Sequence, residues 1–423
     1  MLIKRPGYLE ALKRHQDKSN LIKVVTGVRR AGKSTLLALF QKHLLESGVP
    51  QKRIIGINLE SREFAAYRNG DALYEYVKSM LKTTRRHYVF IDEFQMADGY
   101  EDVGNSLRMM ENVDLYVTGS NTRILSGEGR ESWKNVTKWG GRYIDIRVLP
   151  LSFGEYASAF AKKKAVTADE LFRDYAEQGS FPETLSYVKN GVYDKEGVSD
   201  YIDGVYNAVI LKDVMTQPGV KSVPLLERVV NYMLANIGSE TSINNIVGVL
   251  NNDLRLRSDE KKLYSSTIEA YLNALLNGYL FYKATRYYAK GKEYLKTNAK
   301  YYAVDVGLRY HLLGGDLKTD AGHVLENVVY LELIRRGYRV NVGRVGSMEI
   351  DFVARKPGGQ IEYYQVAQSV LDPDTLRREL APLEGTGDSY PKFLLTRDYD
   401  DTIYNGIRHR NVLEWLLGRI SKS

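Results

Sequence analysis

The densest chemistry in this chain lies in Gly27-Val28-Arg29-Arg30-Ala31-Gly32-Lys33-Ser34-Thr35, whose first eight residues fit G-x-x-x-x-G-K-[ST] at every fixed position. Each fixed residue has a physical task. The two glycines let the backbone curl until its N–H groups face a di- or triphosphate. Lys33 can then reach the β- and γ-phosphates, and the Ser34 hydroxyl can hold Mg²⁺. About sixty residues on, Asp92-Glu93 ends the apolar run Tyr88-Val89-Phe90-Ile91. An acidic pair at the end of a doubly buried strand falls where open α/β sheets bind ligands. There Asp92 can orient the Mg²⁺ shell together with Ser34, and Glu93 can polarise a water for attack on the γ-phosphate.

Further candidates are single residues. The run Asp114-Leu115-Tyr116-Val117-Thr118 leads into Gly119-Ser120-Asn121, and a polar group at that strand tip can position water or phosphate. Arg142 lies on a glycine-bearing turn, before the strand Ile144 to Val148. An arginine there can neutralise charge on a transferring phosphoryl group, often one held by a neighbouring subunit.

Positioning these groups takes a strand before the glycine loop and a helix after it. Leu21 to Thr26 is a short β-rich run, and Leu36, Leu37, Phe40 and Leu44 recur at helical spacing. That succession aims a helix N-terminus at the anion. The whole chain has 423 residues, too many for one core, so two to four domains are expected. It contains no cysteine, which excludes disulfides, thiolate metal sites and a cysteine nucleophile. Its six histidines form no metal-ligand spacing. The charged start and the lack of a long apolar stretch predict a soluble, cytosolic protein that uses no membrane. A net charge of +8 admits DNA or RNA as a partner.

The order GVRRAGKST, FIDEFQ, VTGSN, GGRY, PLSFGEY resembles the AAA-type ATPases of bacteria and archaea that carry a C-terminal DUF4143 domain. The likeness continues at Gly179-Ser180-Phe181-Pro182-Glu183, at Lys300 to Leu308, at Glu349-Ile350-Asp351-Phe352 and at Gly406-Ile407-Arg408-His409. It implies an α/β protein: an AAA-like core with parallel strand order 5-1-4-3-2, a helical lid, a winged-helix module and a nuclease-like tail. It also implies ATP and Mg²⁺ as cofactors, Asn121 as a sensor-type residue and Arg142 as an arginine finger acting within a homo-oligomer.

The expected divisions are 1–150 for the core, 151–220 for the lid, 221–315 for the winged helix and 316–423 for the tail. The lid reads as helical from Phe153 to Val214, broken at Lys162-Lys163-Lys164, and Pro218-Gly219 marks its end. In the winged-helix stretch, Ile243 to Val247 and Thr267 to Leu272 read as helices. Leu280 to Thr285 starts the wing and Lys290-Gly291-Lys292 turns it. Arg255, Arg257, Lys261, Lys262, Arg286, Lys290, Lys292, Lys296 and Lys300 would supply positive charge there, with Tyr264, Tyr287 and Tyr288 for stacking. In the tail, Glu326 and Asp351 match the acidic positions of restriction-endonuclease-like folds, and Gln365 matches their Glu/Gln position. Ala367, however, stands where such sites need a lysine. A methyl group cannot stabilise an attacking hydroxide, so a binding or structural role is expected. The reading is thus an ATPase driving its C-terminal modules. Its rivals are an ATP-licensed DNA nuclease and a nucleotide-gated DNA-binding regulator that does not hydrolyse.

Overall fold

Five short β-branched and aromatic runs build the first layer: β1 (Ile22–Thr26), β2 (Ile54–Asn58), β3 (His87–Asp92), β4 (Val113–Gly119) and β5 (Tyr143–Arg147). In the computed structural model, which describes residues 3–120, 124, 139, 141–160, 166–189, 192–254, 262–288, 293–315 and 320–419, they pair in parallel in the order β2-β3-β4-β1-β5. Read from the other edge this is the expected 5-1-4-3-2. β1 and β4 are buried along their whole length, because helices cover both faces of the sheet. Register then sets where chemistry sits. Thr26 lies opposite Gly119 and Arg147, and Asn58 opposite Asp92, so the C-terminal ends of the strands share one edge.

Helices α1 (Pro6–Arg14), α2 (Lys33–Glu46), α3 (Gly70–Met80) and α4 (Tyr100–Arg108) flank the sheet. The predicted stripe of α2 is buried, with the Phe40 ring 5.1 Å from Tyr116 and 6.2 Å from Phe90. On the other face pack Leu73 and Val77 of α3 and Val103 and Leu107 of α4. One polar network interrupts this apolar interior. Lys23 and Asp114 form a fully buried ion pair, and Asp114 Oδ2 also accepts from Tyr116 Oη (2.8 Å) and the Asp17 amide (2.9 Å).

The stretch after Pro150 is less uniformly helical than its pattern predicts. α5 (Phe153–Phe160) and α6 (Ala168–Gln178) are followed by a 3₁₀ segment at Pro182–Tyr187 and a hairpin, β6 (Val188–Lys189) with β7 (Val192–Tyr193). Then α7 (Lys195–Val209) runs into a π-helical turn at Ile210–Val214. The break at Gly179 has a cause. A Cβ on Gly307 would stand 2.2 Å from Gly179, so the two glycines let the chains touch. Beside them Asp305 accepts from the Ser180 amide (2.6 Å), Ser180 Oγ (2.5 Å) and the Leu308 amide (2.6 Å). Two of the sequence motifs, 125 positions apart, are therefore the two halves of one joint. The Lys162-Lys163-Lys164 break lies outside the described residues.

The rest of the chain supplies α8 (Val223–Ala235), β8 (Glu240–Thr241), α9 (Ile243–Leu254), α10 (Ser265–Asn277), β9 (Phe281–Tyr288), β10 (Glu293–Ala303), α11 (Val306–Leu312) and α12 (Ala321–Arg335). After them come β11 (Arg339–Val345), β12 (Met348–Arg355), β13 (Ile361–Val366), α13 (Pro373–Glu384), β14 (Lys392–Thr396), β15 (Ile403–Tyr404), β16 (Ile407–Asn411) and α14 (Val412–Leu416). Their strands form one nine-stranded sheet, ordered β15-β16-β14-β13-β12-β11-β9-β10-β8. β9 and β11 pair in parallel, Arg286 opposite Val342, so a single ladder runs through the division expected near residue 316. Among the described residues no helix is long and apolar enough to cross a membrane.

Candidate nucleotide-binding site

The glycine loop is the turn from β1 into α2. Gly27 has φ 136°, and a Cβ there would fall 2.1 Å from the Val148 carbonyl oxygen. Gly32 is the N-cap of α2 in the left-handed region, with no side-chain capping bond. The first-turn amides therefore lack a side-chain partner, the arrangement that attracts an anion. Val28 and Ala31 anchor the loop in the core, while Arg30, Ser34 and Thr35 are exposed. Lys33 is buried, and its Nζ donates to Gly27 O (2.9 Å) and Val28 O (3.1 Å). Burial lowers its pKa, against the pull of Glu93, Asp213 and Asp92.

The acidic pair sits directly across. Asp92 Oδ2 accepts from Ser34 Oγ at 2.7 Å, and its other oxygen accepts from Thr118 Oγ1. Thr118 Oγ1 in turn accepts from the Glu93 amide at 2.9 Å. Glu93 adopts φ 53° and ψ 48°, a sparsely populated backbone state for a non-glycine residue, and Gln95 Nε2 donates to its carboxylate. A hydroxyl beside a carboxylate is an oxygen donor set that suits Mg²⁺.

Other predicted residues separate from this group. Arg142 is exposed, and its carbonyl accepts from the Ile22 amide at 3.1 Å, at the N-terminal edge of the sheet. Five residues of strand, about 16 Å at about 3.3 Å each, part it from the loop edge, so it does not meet its own glycine loop. Asn121 lies outside the described residues. Its neighbour Ser120 is buried, and its Oγ donates to Asp213 Oδ1 at 2.9 Å. Asp213, on the π turn after α7, also accepts from Arg29 Nε at 2.7 Å. Sequence reasoning missed it, since a lone aspartate in Ile210-Leu211-Lys212-Asp213-Val214 carries no spacing signal. Arg5 was missed as well. It donates to Ala31 O (2.9 Å) and Leu149 O (2.7 Å) and pairs with Glu155 (3.0 Å), bracing the loop from beneath.

A family model described as an AAA domain matches residues 19–157, and a domain of unknown function, DUF8612, matches residues 169–319. A Haemophilus influenzae protein, described as uncharacterized, is 35% identical over 421 residues, 98% of this chain and 99% of its own. The chain belongs to that protein's family, a family of P-loop AAA-domain proteins. A Methanocaldococcus jannaschii protein of the same plain description is 26% identical over 351 residues, 79% of this chain and 72% of its own. Among solved structures, Aeropyrum pernix ORC2 in its ADPNP–ADP complexes aligns with TM-score 0.43 and 13% identity over 78% of this chain and 95% of that one. The DUF8612 description differs from the DUF4143 expected from the motifs, which gains no support here.

In this AAA-domain protein the second acid-lined site is arranged differently. Lys300 Nζ stands 2.9 Å from Glu326, 2.7 Å from Glu349 and 3.8 Å from Asp351. Tyr302 Oη donates to Glu326 (2.7 Å), and Asp351 Oδ2 accepts from the Val366 amide (2.8 Å). Gln365 does reach the cluster, accepting from the Asp351 amide at 3.3 Å and donating to Glu379 at 2.9 Å. Burial alone would lower the Lys300 pKa, but Glu326, Asp351 and Glu349 together raise it. Among the described residues no group of three or more His, Asp or Glu is arranged to hold a metal ion. The expectation that Lys300, Arg286 and Tyr287 present charge and rings to nucleic acid is corrected. Lys300 is buried in the acid cluster, Arg286 pairs with Glu240 at 2.6 Å, and Tyr287 is buried. Consecutive strand residues face opposite sides of the sheet, so Arg286 is engaged by Glu240 on one face and Tyr287 packs in the core on the other. Lys262 and Tyr264 are exposed. Arg255, Arg257, Lys261, Lys290, Lys292 and the Lys296 side chain lie outside the described residues. A groove of about 1500 Å³ lies away from both sites, between the N-terminal segment and the C-terminal strands around Arg336 and Trp415. Its charges are largely matched, as in Arg336 with Glu332 and Arg410 with Asp401.

Proposed function

We propose that this chain is a Mg²⁺-dependent ATPase whose nucleotide state rearranges the helical lid and the modules that follow it. One observation carries the reading: the Ser34–Asp92 hydrogen bond joins the first turn after the glycine loop to the acidic strand end, with Lys33 and Glu93 adjoining it. The loop from Gly27 to Thr35 would cradle the phosphates, with Lys33 on the β- and γ-phosphates. Ser34 and Asp92 would hold Mg²⁺, which when bound neutralises charge on the phosphate oxygens. Glu93 takes the proton of the attacking water as its oxygen bonds to the γ-phosphorus and the bond to the β-phosphate oxygen breaks. Ser120 at the β4 tip, or Asn121 next to it in sequence, would help orient that water.

Arg142, remote from its own loop, would serve the nucleotide of a neighbouring copy, so the working form is a homo-oligomer. The succession α8, β8, α9, α10, β9, β10 supports a winged-helix module over 221–315, and the α12-to-β13 segment supports a nuclease-like fold over 316–423. Cleavage is disfavoured, since the acid cluster already has its cation in Lys300. Steady-state phosphate release compared between wild type and Glu93→Gln tests the reading. A fall of roughly 100-fold or more is expected for loss of a general base, and equal rates would refute it. Lys33→Ala should lose ATP affinity.

A further inference from the structure

Asp213 is a buried acid delivered to the glycine loop from outside the parallel sheet. Its carboxylate is 1% exposed and takes both of its side-chain hydrogen bonds from the site: Arg29 Nε at 2.7 Å and Ser120 Oγ at 2.9 Å. Arg29 belongs to the loop itself, and Ser120 stands at the tip of β4, two residues past Thr118, the partner of Asp92. These are cationic and hydroxyl donors of the kind that phosphate oxygens take. The carboxylate also acts on the charge of Lys33. Without Arg29 and Ser120 it would be a buried, uncompensated acid, and burial already pushes its pKa up.

The backbone around Asp213 is unusual in a matching way. Residues Ile210–Val214 form a π-helical turn at the end of α7, and such bulges are frequent where a side chain must be re-aimed at a functional site. The same turn touches the next module. A Cβ on Gly278 would lie 3.1 Å from the Val214 side chain, at the C-cap of α10. One short segment thus meets the loop through Asp213 and the α10 end through Val214. Lys212, beside it, lies 3.6 Å from Glu60, which also stands 3.6 Å from Arg29.

We infer that Asp213 is an internal occupant of the phosphate subsite, a tethered carboxylate that holds Arg29 and Ser120 in the nucleotide-free chain and is expelled when a nucleoside triphosphate enters. The inference rests on the nucleotide reading above and adds its regulation. Incoming phosphate oxygens compete for the same donors and repel the carboxylate. The π turn is then released from the loop and its contact with the α10 end is free to change. The latch therefore opposes nucleotide affinity and links occupancy of the loop to the module after the lid.

The test uses the full chain and a fluorescent, non-hydrolysable ATP analogue with Mg²⁺. Asp213→Asn should bind roughly tenfold tighter than wild type, because the competent state no longer has to be freed from a charged latch. Asp213→Ser, which removes the charged latch with a smaller side chain and leaves both donors, Arg29 and Ser120, in place, should tighten binding by a similar factor; it keeps the proposal testable where Asp213→Asn fails to fold. Amide hydrogen exchange over residues 205–217 should be faster in nucleotide-free Asp213→Asn than in nucleotide-free wild type, and should rise in wild type on adding the analogue. Binding by wild type with equal or weaker binding by both variants overturns the latch alone. No binding by wild type or either variant overturns the nucleotide reading and the latch with it.

Discussion

Lys33 and Lys300 are both buried lysines among carboxylates, and they are held in opposite ways. Lys33 donates to two loop carbonyls and, among the described residues, has no carboxylate within ion-pair distance, while its acids, Asp92 and Glu93, are engaged with Ser34, Thr118 and Gln95. Lys300 stands inside its acids, with Glu326 and Glu349 both within 3 Å. The first arrangement keeps a cation and anions apart, so that a ligand carrying both phosphate and metal can join them. The second has already joined them. Charge held apart at the ends of buried strands marks a site for a ligand, and charge already paired marks a piece of structure.

Replacing each lysine by methionine should expose the contrast. Lys300→Met leaves buried carboxylates without their cation, and a loss of about 3–5 kcal/mol in denaturant unfolding is expected. Lys33→Met removes a charge that burial already disfavours and should change stability by no more than about 1 kcal/mol. The pH dependence follows from the raised Lys300 pKa. A lysine raised above its unfolded value near 10.5 contributes fully below that value and loses the contribution only as pH rises through the folded one. The Lys300 ionisation should therefore leave the deficit of Lys300→Met flat between about pH 6 and about pH 9. Equal losses for the two variants would erase the distinction between the sites.

The joint that ties the two halves comes next in size. Ser180→Ala takes one hydrogen bond from the buried Asp305, whose carboxyl burial pushes up while the Ser180 and Leu308 donors oppose it. A loss of about 2 kcal/mol is expected. Separate unfolding transitions in the variant would show that this contact, rather than the nine-stranded sheet, makes the halves unfold together. A smaller effect concerns metal. If Lys300 stands in for a cation, Lys300→Ala should gain affinity for Mn²⁺. With the ion at roughly ten times its dissociation constant, the variant would recover about 1.4 kcal/mol, and the C-terminal cluster of wild type would recover nothing.

How far this was legible in the sequence depended on whether a signal was local. The glycine loop, the acidic strand end and the buried face of α2 follow from spacing over a few residues, whereas the strand order was implied only by the family resemblance that the motifs carry. Asp213 was invisible because its partners lie 184 and 93 positions away, and no periodicity encodes such a pairing. Lys300 was misread because a lysine beside tyrosines looks like a phosphate contact. The missed signal was the demand of three carboxylates, Glu326, Glu349 and Asp351, on otherwise apolar elements, for a cation of their own. The π turn left no trace, since Ile210 to Val214 continues the helical pattern of α7.

The smallest effect extends the same distinction to the stretch from α8 to β10. Arg286 lies in β9 and is paired with Glu240, which Arg344 also contacts at 3.0 Å, whereas Lys262 is exposed. Each phosphate neutralised on duplex DNA contributes about 0.9 to the slope of log affinity against log salt. Lys262→Ala should therefore flatten that slope by about 0.9 when binding is followed by fluorescence anisotropy. Arg286→Gln should leave the slope unchanged, because its charge is already answered within the protein. A slope that responds to Arg286 and ignores Lys262 would mean that the Glu240 pair opens on binding. The rule that paired charge is structural would then fail in the very sheet that carries Lys300.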